Sequence, residues 1–158
     1  CSSDLVEVCS LISTVSEDCG DEAAPKQVTL NLTDNLSEAL IMTRGNTLVS
    51  VFDNIIRNAI RYTVEDSPVS IVLDRNSKGD PQITVSDCGP GVQEEHLEDI
   101  FEPFFRTDEA RDRKSGGYGL GLAIAQRTVL HHGGTVKAQN NLVRGLSITI
   151  TLPEATVI

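Results

Sequence analysis

The chain of 158 residues is long enough for one domain with a substantial hydrophobic core. Hydrophobic residues make up 39% and charged residues 23%, and no apolar run approaches the ~18 residues of a membrane-spanning helix. A net charge of -10 argues against a nucleic-acid-binding surface, because such a surface needs basic residues to neutralise phosphates.

Hydrophobic periodicity predicts the elements of the N-terminal half. Apolar residues recur at helical spacing from Leu5 to Val15, which predicts a helix with Asp4 as its N-cap. Alternating apolar residues over 26–34 predict a strand with one buried side. Residues 47–63 again carry apolar residues at helical intervals and predict a second helix.

The C-terminal half reads mainly as strands. Residues 69–75 and 82–87 predict two strands joined by a turn. Residues 94–105 predict a short helix that stops at Pro103, and the charged residues 107–115 predict a mobile loop. A further helix from Leu120 to about His132 precedes two closing strands, which form a hairpin pattern.

These elements predict one domain over residues 1–158 with an α/β fold. Strands without strict strand–helix–strand alternation favour a two-layer sandwich, with a mixed, mostly antiparallel sheet of about five strands and helices on one face. Four cysteines without metal-ligand spacing are typical of reduced thiols in a cytoplasmic protein. The chain begins at Cys1 rather than Met, so we expect a piece of a longer protein.

Glycines at 116, 117, 119 and 121 lie at the start of the helix that is predicted from Leu120. A helix N-terminus has unpaired N–H groups, and a loop without side chains lets phosphate approach them. A flexible turn or close helix packing would explain the same residues. The Gly-Lys-Ser/Thr sequence of a Walker loop is absent.

Two further motifs combine polar groups with glycine. Asn54, Asn58 and Arg61 form a stripe on the helix of 47–63, which fits either a solvated face or a site for Mg²⁺ and phosphate. Asp87 follows a predicted strand and precedes Gly89-Pro90-Gly91. Its carboxylate fits either an ordinary β-turn or an acceptor for the amino group of adenine, with the glycines leaving room for a flat ring.

A fourth motif, IFEPFFR, holds three of the chain's four phenylalanines, Phe101, Phe104 and Phe105. The simple interpretation is a corner of the core beneath a loop. The basic residues that follow, among them Arg111 and Arg113, fit either closure over phosphates or a solvated run of charges.

The segments NIIRNAIRYT, DCGPG, IFEPFFR and GGYGLGLAI resemble, in this order, the N, G1, F and G2 boxes of bacterial sensor histidine kinases. The residues from Ile100 to Ala125 look most like the envelope-stress sensor kinases of the Cpx type. The resemblance implies the Bergerat ATP-binding fold, which gyrase, Hsp90 and MutL share, with ATP and Mg²⁺ as cofactors.

The resemblance also implies roles for individual residues. Asn58 would hold Mg²⁺ with Asn54 nearby, Arg61 would contact phosphate, Tyr62 would flank the nucleotide and Asp87 would accept from the adenine amino group. Gly89 and Gly91 would shape the base pocket, and residues 106–115 would form a lid over ATP. The residues implied in the chemical step are Asn58, Arg61, Arg111 and Arg113. The remaining implied nucleotide contacts are Val92, Phe104, Arg106, Gly116, Gly117, Tyr118, Gly119, Leu120, Gly121 and Leu122.

Two absences sharpen what this resemblance implies. ATPase relatives place a glutamate about where Asn54 stands, and an amide cannot act as the general base for water. The phosphoacceptor motif HELRTPL of these kinases is absent, so the acceptor histidine would lie on a separate dimerisation hairpin, with a response regulator receiving the phosphate afterwards. The domain would then be a cytoplasmic part of an inner-membrane sensor kinase, without contact to nucleic acid or membrane. A Bergerat-fold ATPase, an anti-sigma-type serine kinase and a non-catalytic nucleotide-binding module are the alternatives.

Overall fold

A computed structural model of the protein describes residues 4–105 and 120–156. Its helices are α1 (Val8–Asp18), α2 (Gly20–Ala23), α3 (Thr47–Tyr62) and α4 (Gly121–His131). Its strands are β1 (Asp4–Glu7), β2 (Thr29–Asp34), β3 (Leu40–Thr43), β4 (Pro68–Arg75), β5 (Pro81–Ser86), β6 (Thr135–Asn140) and β7 (Leu146–Thr151). Three 3₁₀ turns span Ala24–Lys26, Glu94–His96 and Asp99–Phe101.

The main sheet has five strands in the order β2-β4-β5-β7-β6. Strand β2 runs parallel to β4, and every other neighbouring pair is antiparallel. Side chains alternate between buried and half-buried along β4, β5 and β7, because successive residues of a strand point to opposite faces. The predicted mixed, mostly antiparallel sheet with helices on one face is therefore confirmed.

Helix α3 supplies the largest part of the helical layer. Seven of its side chains are buried: Leu48, Val51, Phe52, Ile55, Ile56, Ala59 and Ile60. They pack with Ile71, Leu73 and Ile83 of the sheet in one continuous core. The buried side chains of α3 recur at helical spacing, and they pack on a sheet face whose buried side chains recur at every second residue. The sequence pattern predicts this arrangement.

The N-terminal prediction needs a correction. Asp4 is not an N-cap: residues 4–7 form strand β1, which pairs antiparallel with β3 in a second, two-stranded sheet. Helix α1 begins only at Val8, and Glu7 caps it by accepting hydrogen bonds from the N–H groups of Cys9 (2.9 Å) and Ser10 (3.0 Å). Pairing with β3 satisfies backbone groups that a helix starting at residue 4 would leave unpaired.

The segment before Pro103 is also different from its prediction. Instead of one short helix, Glu94–His96 and Asp99–Phe101 form separate 3₁₀ turns, since so short a segment gains little from α-helical pairing. Phe101 is buried as predicted, whereas Phe104 is 69% exposed and does not belong to the core. The loop predicted over 107–115 lies outside the described residues. No helix in the described ranges is long and apolar enough to cross a bilayer.

Candidate functional site

The structure brings the described residues of three of the four predicted motifs to one place. The side chain of Asn54 on α3 lies against Gly121, the first residue of α4. The two are so close that an added Cβ at Gly121 would be 3.4 Å from Asn54 Oδ1. The C-terminal end of α3 lies against the loop after β5, where an added Cβ at Gly89 would be only 2.3 Å from the carbonyl oxygen of Tyr62. Helix α3 therefore contacts both the start of α4, through Asn54, and the loop after Asp87, through Tyr62.

The polar stripe of α3 occupies one flank of the helix. Asn54, Asn58, Arg61 and Tyr62 are all half-buried, beside the fully buried core face. The other flank carries the ion pair of Arg57 with Asp53 (2.8 Å), so the two polar flanks are distinct. Within the described residues, neither the Asn54 nor the Asn58 amide oxygen accepts a hydrogen bond, and both remain open to another partner.

Asp87 is the most deeply buried ionisable side chain of the site, at 5% exposure. Its Oδ1 accepts hydrogen bonds from the N–H groups of Gly89 (2.9 Å) and Leu146 (3.1 Å). Burial raises the pKa of this carboxyl above its ordinary value, while the two N–H groups and the positive charge of Lys26 oppose that effect. No described residue donates a hydrogen bond to Oδ2, so one oxygen of the carboxylate is fixed by two N–H groups and the other accepts none from the described residues.

The hairpin of β6 and β7 holds the backbone of Asp87. The Asp87 N–H donates to the carbonyl of Leu146 (3.0 Å), and the Asp87 carbonyl accepts from the side-chain amide of Asn141 (3.1 Å). Gly145 packs so closely that an added Cβ would be 2.0 Å from the Asp87 carbonyl oxygen, and its φ of +95° is one that other residues rarely adopt. Close backbone contact from two sides therefore fixes the direction of the Asp87 side chain.

Of the other predicted site residues, several fall within the described ranges. Gly91 has a φ of +75°, and an added Cβ would be 2.7 Å from Asn140 Oδ1. That oxygen also accepts from the N–H of Val92 (2.9 Å), and the Asn140 amide donates back to the Val92 carbonyl. Leu122 is half-buried and packs against the core. Phe104 and Leu120 are exposed on either side of the segment that the structure does not describe.

The remaining predicted site residues lie outside the described part of the chain. They are Arg106, Arg111, Arg113, Gly116, Gly117, Tyr118 and Gly119. Their roles remain predictions from the sequence.

Sequence reasoning missed residues that act through backbone contacts. Gly145 and Leu146 bind the Asp87 backbone and carboxylate, and Thr63 accepts a hydrogen bond from the Cys88 N–H (2.9 Å). The signal for Gly145 was a single glycine between two strands, which is also the pattern of an ordinary hairpin turn. Nothing in the local sequence around Thr63 or Lys26 indicates their contacts.

Comparisons with known proteins give matches in both sequence and structure. The sequence profile of the family described as "Histidine kinase-, DNA gyrase B-, and HSP90-like ATPase" matches residues 43–156. Sensor histidine kinase CpxA of Escherichia coli (strain K12) is 49% identical over 108 residues, which are 68% of this chain and 23% of that relative. The chain thus spans less than a quarter of the length of this curated relative.

Solved structures show the same fold over nearly the whole chain. The mycobacterial sensor histidine kinase MprB matches with a TM-score of 0.84 at 23% identity, covering 99% of this chain and 100% of that one. Full-length ShkA, solved in complex with AMPPNP, matches with a TM-score of 0.84 at 28% identity, covering 99% of this chain and 32% of that one.

Proposed function

The chain belongs to the histidine kinase-, DNA gyrase B- and HSP90-like ATPase family, and from this premise we propose that it binds Mg²⁺·ATP and donates the γ-phosphate to a histidine on a separate dimerisation domain. The observation that carries the proposal is Asp87, whose carboxylate has one oxygen fixed by two N–H groups and one oxygen that accepts no hydrogen bond from a described residue. That arrangement suits a donor such as the exocyclic amine of adenine. The identity of 49% to a sensor histidine kinase favours a kinase of this family over its ATPases.

The donor set of α3 fits Mg²⁺. Asn54 and Asn58 offer neutral amide oxygens on one half-buried flank, and Mg²⁺ prefers oxygen ligands and retains waters and phosphate oxygens. No group of three or more His, Cys, Asp or Glu side chains suited to a metal occurs among the described residues. From these amide oxygens, Asn58, with Asn54 beside it, would hold the ion, which when bound neutralises phosphate charge.

The protein's own contribution to the reaction is positioning. Asp87 orients the purine, and Arg61, one turn after Asn58, would pair with a phosphate. Arg111 and Arg113 are proposed to add positive charge near the γ-phosphate. The bond that forms joins the γ-phosphorus to a nitrogen of the acceptor imidazole, and the bond that breaks joins that phosphorus to the β,γ-bridging oxygen, which leaves with ADP. The imidazole gives up one proton, which groups near the acceptor histidine or solvent would take. Because Asn54 is an amide, it cannot take a proton from water, so we expect slow ATP hydrolysis.

Two of the three histidines among the described residues, His96 and His132, have structural partners. His132 Nδ1 lies 2.7 Å from the carbonyl oxygen of Thr128, and its Nε2 lies 2.7 Å from the hydroxyl of Thr43. His96 Nδ1 lies 3.0 Å from an oxygen of Asp99. These contacts favour an acceptor outside this chain. We propose that the whole protein is a sensor kinase of the inner membrane. It would carry the acceptor hairpin and pass the phosphate to a response regulator.

The decisive experiment is incubation of the chain with γ-labelled ATP and Mg²⁺, with and without a histidine-bearing hairpin from a related sensor kinase. We expect label on the hairpin and little free phosphate. The same hairpin with its histidine replaced by alanine is the control. Steady release of phosphate by the chain alone would favour an ATPase, and ATP binding without transfer to any hairpin would favour a non-catalytic module.

The substitution Asn58→Ala tests the metal site. In the presence of Mg²⁺, we expect the affinity for ATP to fall roughly tenfold, which corresponds to about 1.4 kcal/mol. With EDTA in place of Mg²⁺, parent and variant should bind alike, because only the metal-dependent part is lost. Calorimetric titration in both buffers measures this. Asn31→Ala, on the exposed face of edge strand β2, is the matched control, and an equal loss with and without Mg²⁺ would contradict the assignment.

A further inference from the structure

Lys26 holds the end of helix α3 from outside the helix. Its ammonium nitrogen donates hydrogen bonds to the carbonyl oxygens of Ile60 (2.9 Å), Arg61 (2.9 Å) and Thr63 (2.8 Å). The last carbonyls of a helix have no partner within the helix, and a cation is favourable at that end. One side chain from the turn before β2 thus fixes three carbonyls at the C-terminal end of α3, the helix that borders the site.

The end of α3 in turn supports the loop that carries Asp87. The Cys88 N–H donates to the Thr63 hydroxyl (2.9 Å), which lies 2.7 Å from the hydroxyl of Ser67. Ser67 donates to the carbonyl of Val64 (2.6 Å), so every hydroxyl proton in this chain of bonds has an acceptor. A shift of the end of α3 would therefore move the loop on which the Asp87 carboxylate depends.

We propose that Lys26 is a positioning residue for purine recognition, which acts by fixing the end of α3 and, through Thr63, the loop after Asp87. The inference rests on the proposed function, since it assumes that Asp87 accepts from the base. Lys26 lies outside residues 43–156, which the family profile matches, so the family match assigns it no role.

Charge provides a second link between Lys26 and Asp87. The ammonium lowers the pKa of the Asp87 carboxyl and so opposes the effect of burial. The neighbouring elements also carry the charged residues Arg61 on α3, Glu65 and Asp66 after it, and Arg144 in the turn between β6 and β7. Without Lys26, the carboxylate would take up a proton at higher pH and lose its capacity to accept from an amine.

The test compares Lys26→Met with Lys26→Arg, which keeps the charge, and with Lys78→Met as a matched control. Lys78 is exposed in the turn at the other end of β5. Each full chain is titrated with ATP and with ITP, which has a carbonyl oxygen where ATP has the amino group. We expect Lys26→Met to reduce ATP affinity about tenfold and ITP affinity less, and to move the acidic limb of ATP binding to higher pH. Lys26→Arg should recover most of the ATP preference.

An ATP-to-ITP ratio in Lys26→Met equal to that of the parent, with an unchanged pH profile, would overturn the inference. If circular dichroism shows that Lys26→Met does not fold, Thr63→Val decides, because it removes the bond to Cys88 and leaves the helix cap intact. A parent-like ratio in Thr63→Val would then overturn the inference, and a lowered ratio would support it. A parent chain that binds ITP as well as ATP would instead refute the proposed function and the inference with it.

Discussion

Replacement of Asp87 by Asn should remove most of the affinity for ATP without weakening the fold. The asparagine oxygen still accepts from the N–H groups of Gly89 and Leu146, but its NH₂ group takes the place of the open carboxylate oxygen. Two donors would then face each other in a buried position, which costs about 1–3 kcal/mol. We expect ATP affinity to fall about 10- to 100-fold, while ITP, which presents an oxygen there, is bound no worse than by the parent.

Stability provides an independent check on Asp87→Asn. Because burial raises the pKa of this carboxyl in the folded state, the folded protein binds its proton more readily than the unfolded chain. Ionisation of Asp87 therefore costs stability as the pH rises from the ordinary value of 3.8 through the folded-state pKa. An asparagine at position 87 does not ionise and does not carry this stability cost. Denaturant titration at neutral pH should therefore show a variant that is as stable as the parent or more stable.

Asp18→Asn, at the exposed end of α1, removes the same charge without touching the site and is the control for Asp87→Asn. Unchanged ATP affinity in Asp87→Asn would place the purine elsewhere. Joint loss of affinity and stability would mean that Asp87 is a structural carboxylate.

The substitution Gly145→Ala should be among the most damaging single changes in the chain. An added Cβ would lie 2.0 Å from the carbonyl oxygen of Asp87, and backbone on both sides leaves little room to relax. The φ of +95° adds strain that any side chain would increase. We expect the free energy of unfolding to fall by about 4 kcal/mol or more, with weakened ATP binding in whatever protein remains folded.

Gly79→Ala separates backbone strain from close contact. Gly79 has a similar φ of +86°, but nothing lies within 4 Å of an added Cβ. Only the conformational cost of about 1–2 kcal/mol should appear there. Urea denaturation of both variants measures the difference, and equal losses at the two positions would show that the Gly145–Asp87 contact carries no special weight.

Elements with strong periodicity were predictable, and short ones were not. Helix α3 and strands β4, β5 and β7 each bury one face. The spacing of their apolar residues therefore indicates both the type of element and the face that is buried. Strands β1 and β3 have only four residues each, and their pairing depends on each other rather than on a local pattern. The helical spacing that begins at Leu5 therefore extended the predicted helix into a strand.

The candidate site divides in the same way. Asp87, Asn54 and Asn58 stand out because a carboxylate beside glycines and two amides on a helix are unusual locally. The contacts that hold Asp87 in place join residues far apart in the chain: Leu146 is 59 positions from Asp87, and Lys26 is 37 positions from Thr63. Such contacts arise from the fold, and only the three-dimensional arrangement reveals them.

The parallel pairing of β2 with β4 has a practical consequence for the choice of a shortened form of the chain. A truncation at residue 43, where the family profile begins, removes β2 and Lys26 together. It strips the outer hydrogen-bonding partner from β4, whose Val69, Ile71 and Leu73 are wholly buried. Uncovered strand edges recruit other chains into aggregates. We therefore expect that a form which stays monodisperse at high concentration has to start before β2, well upstream of residue 43, where the family profile begins.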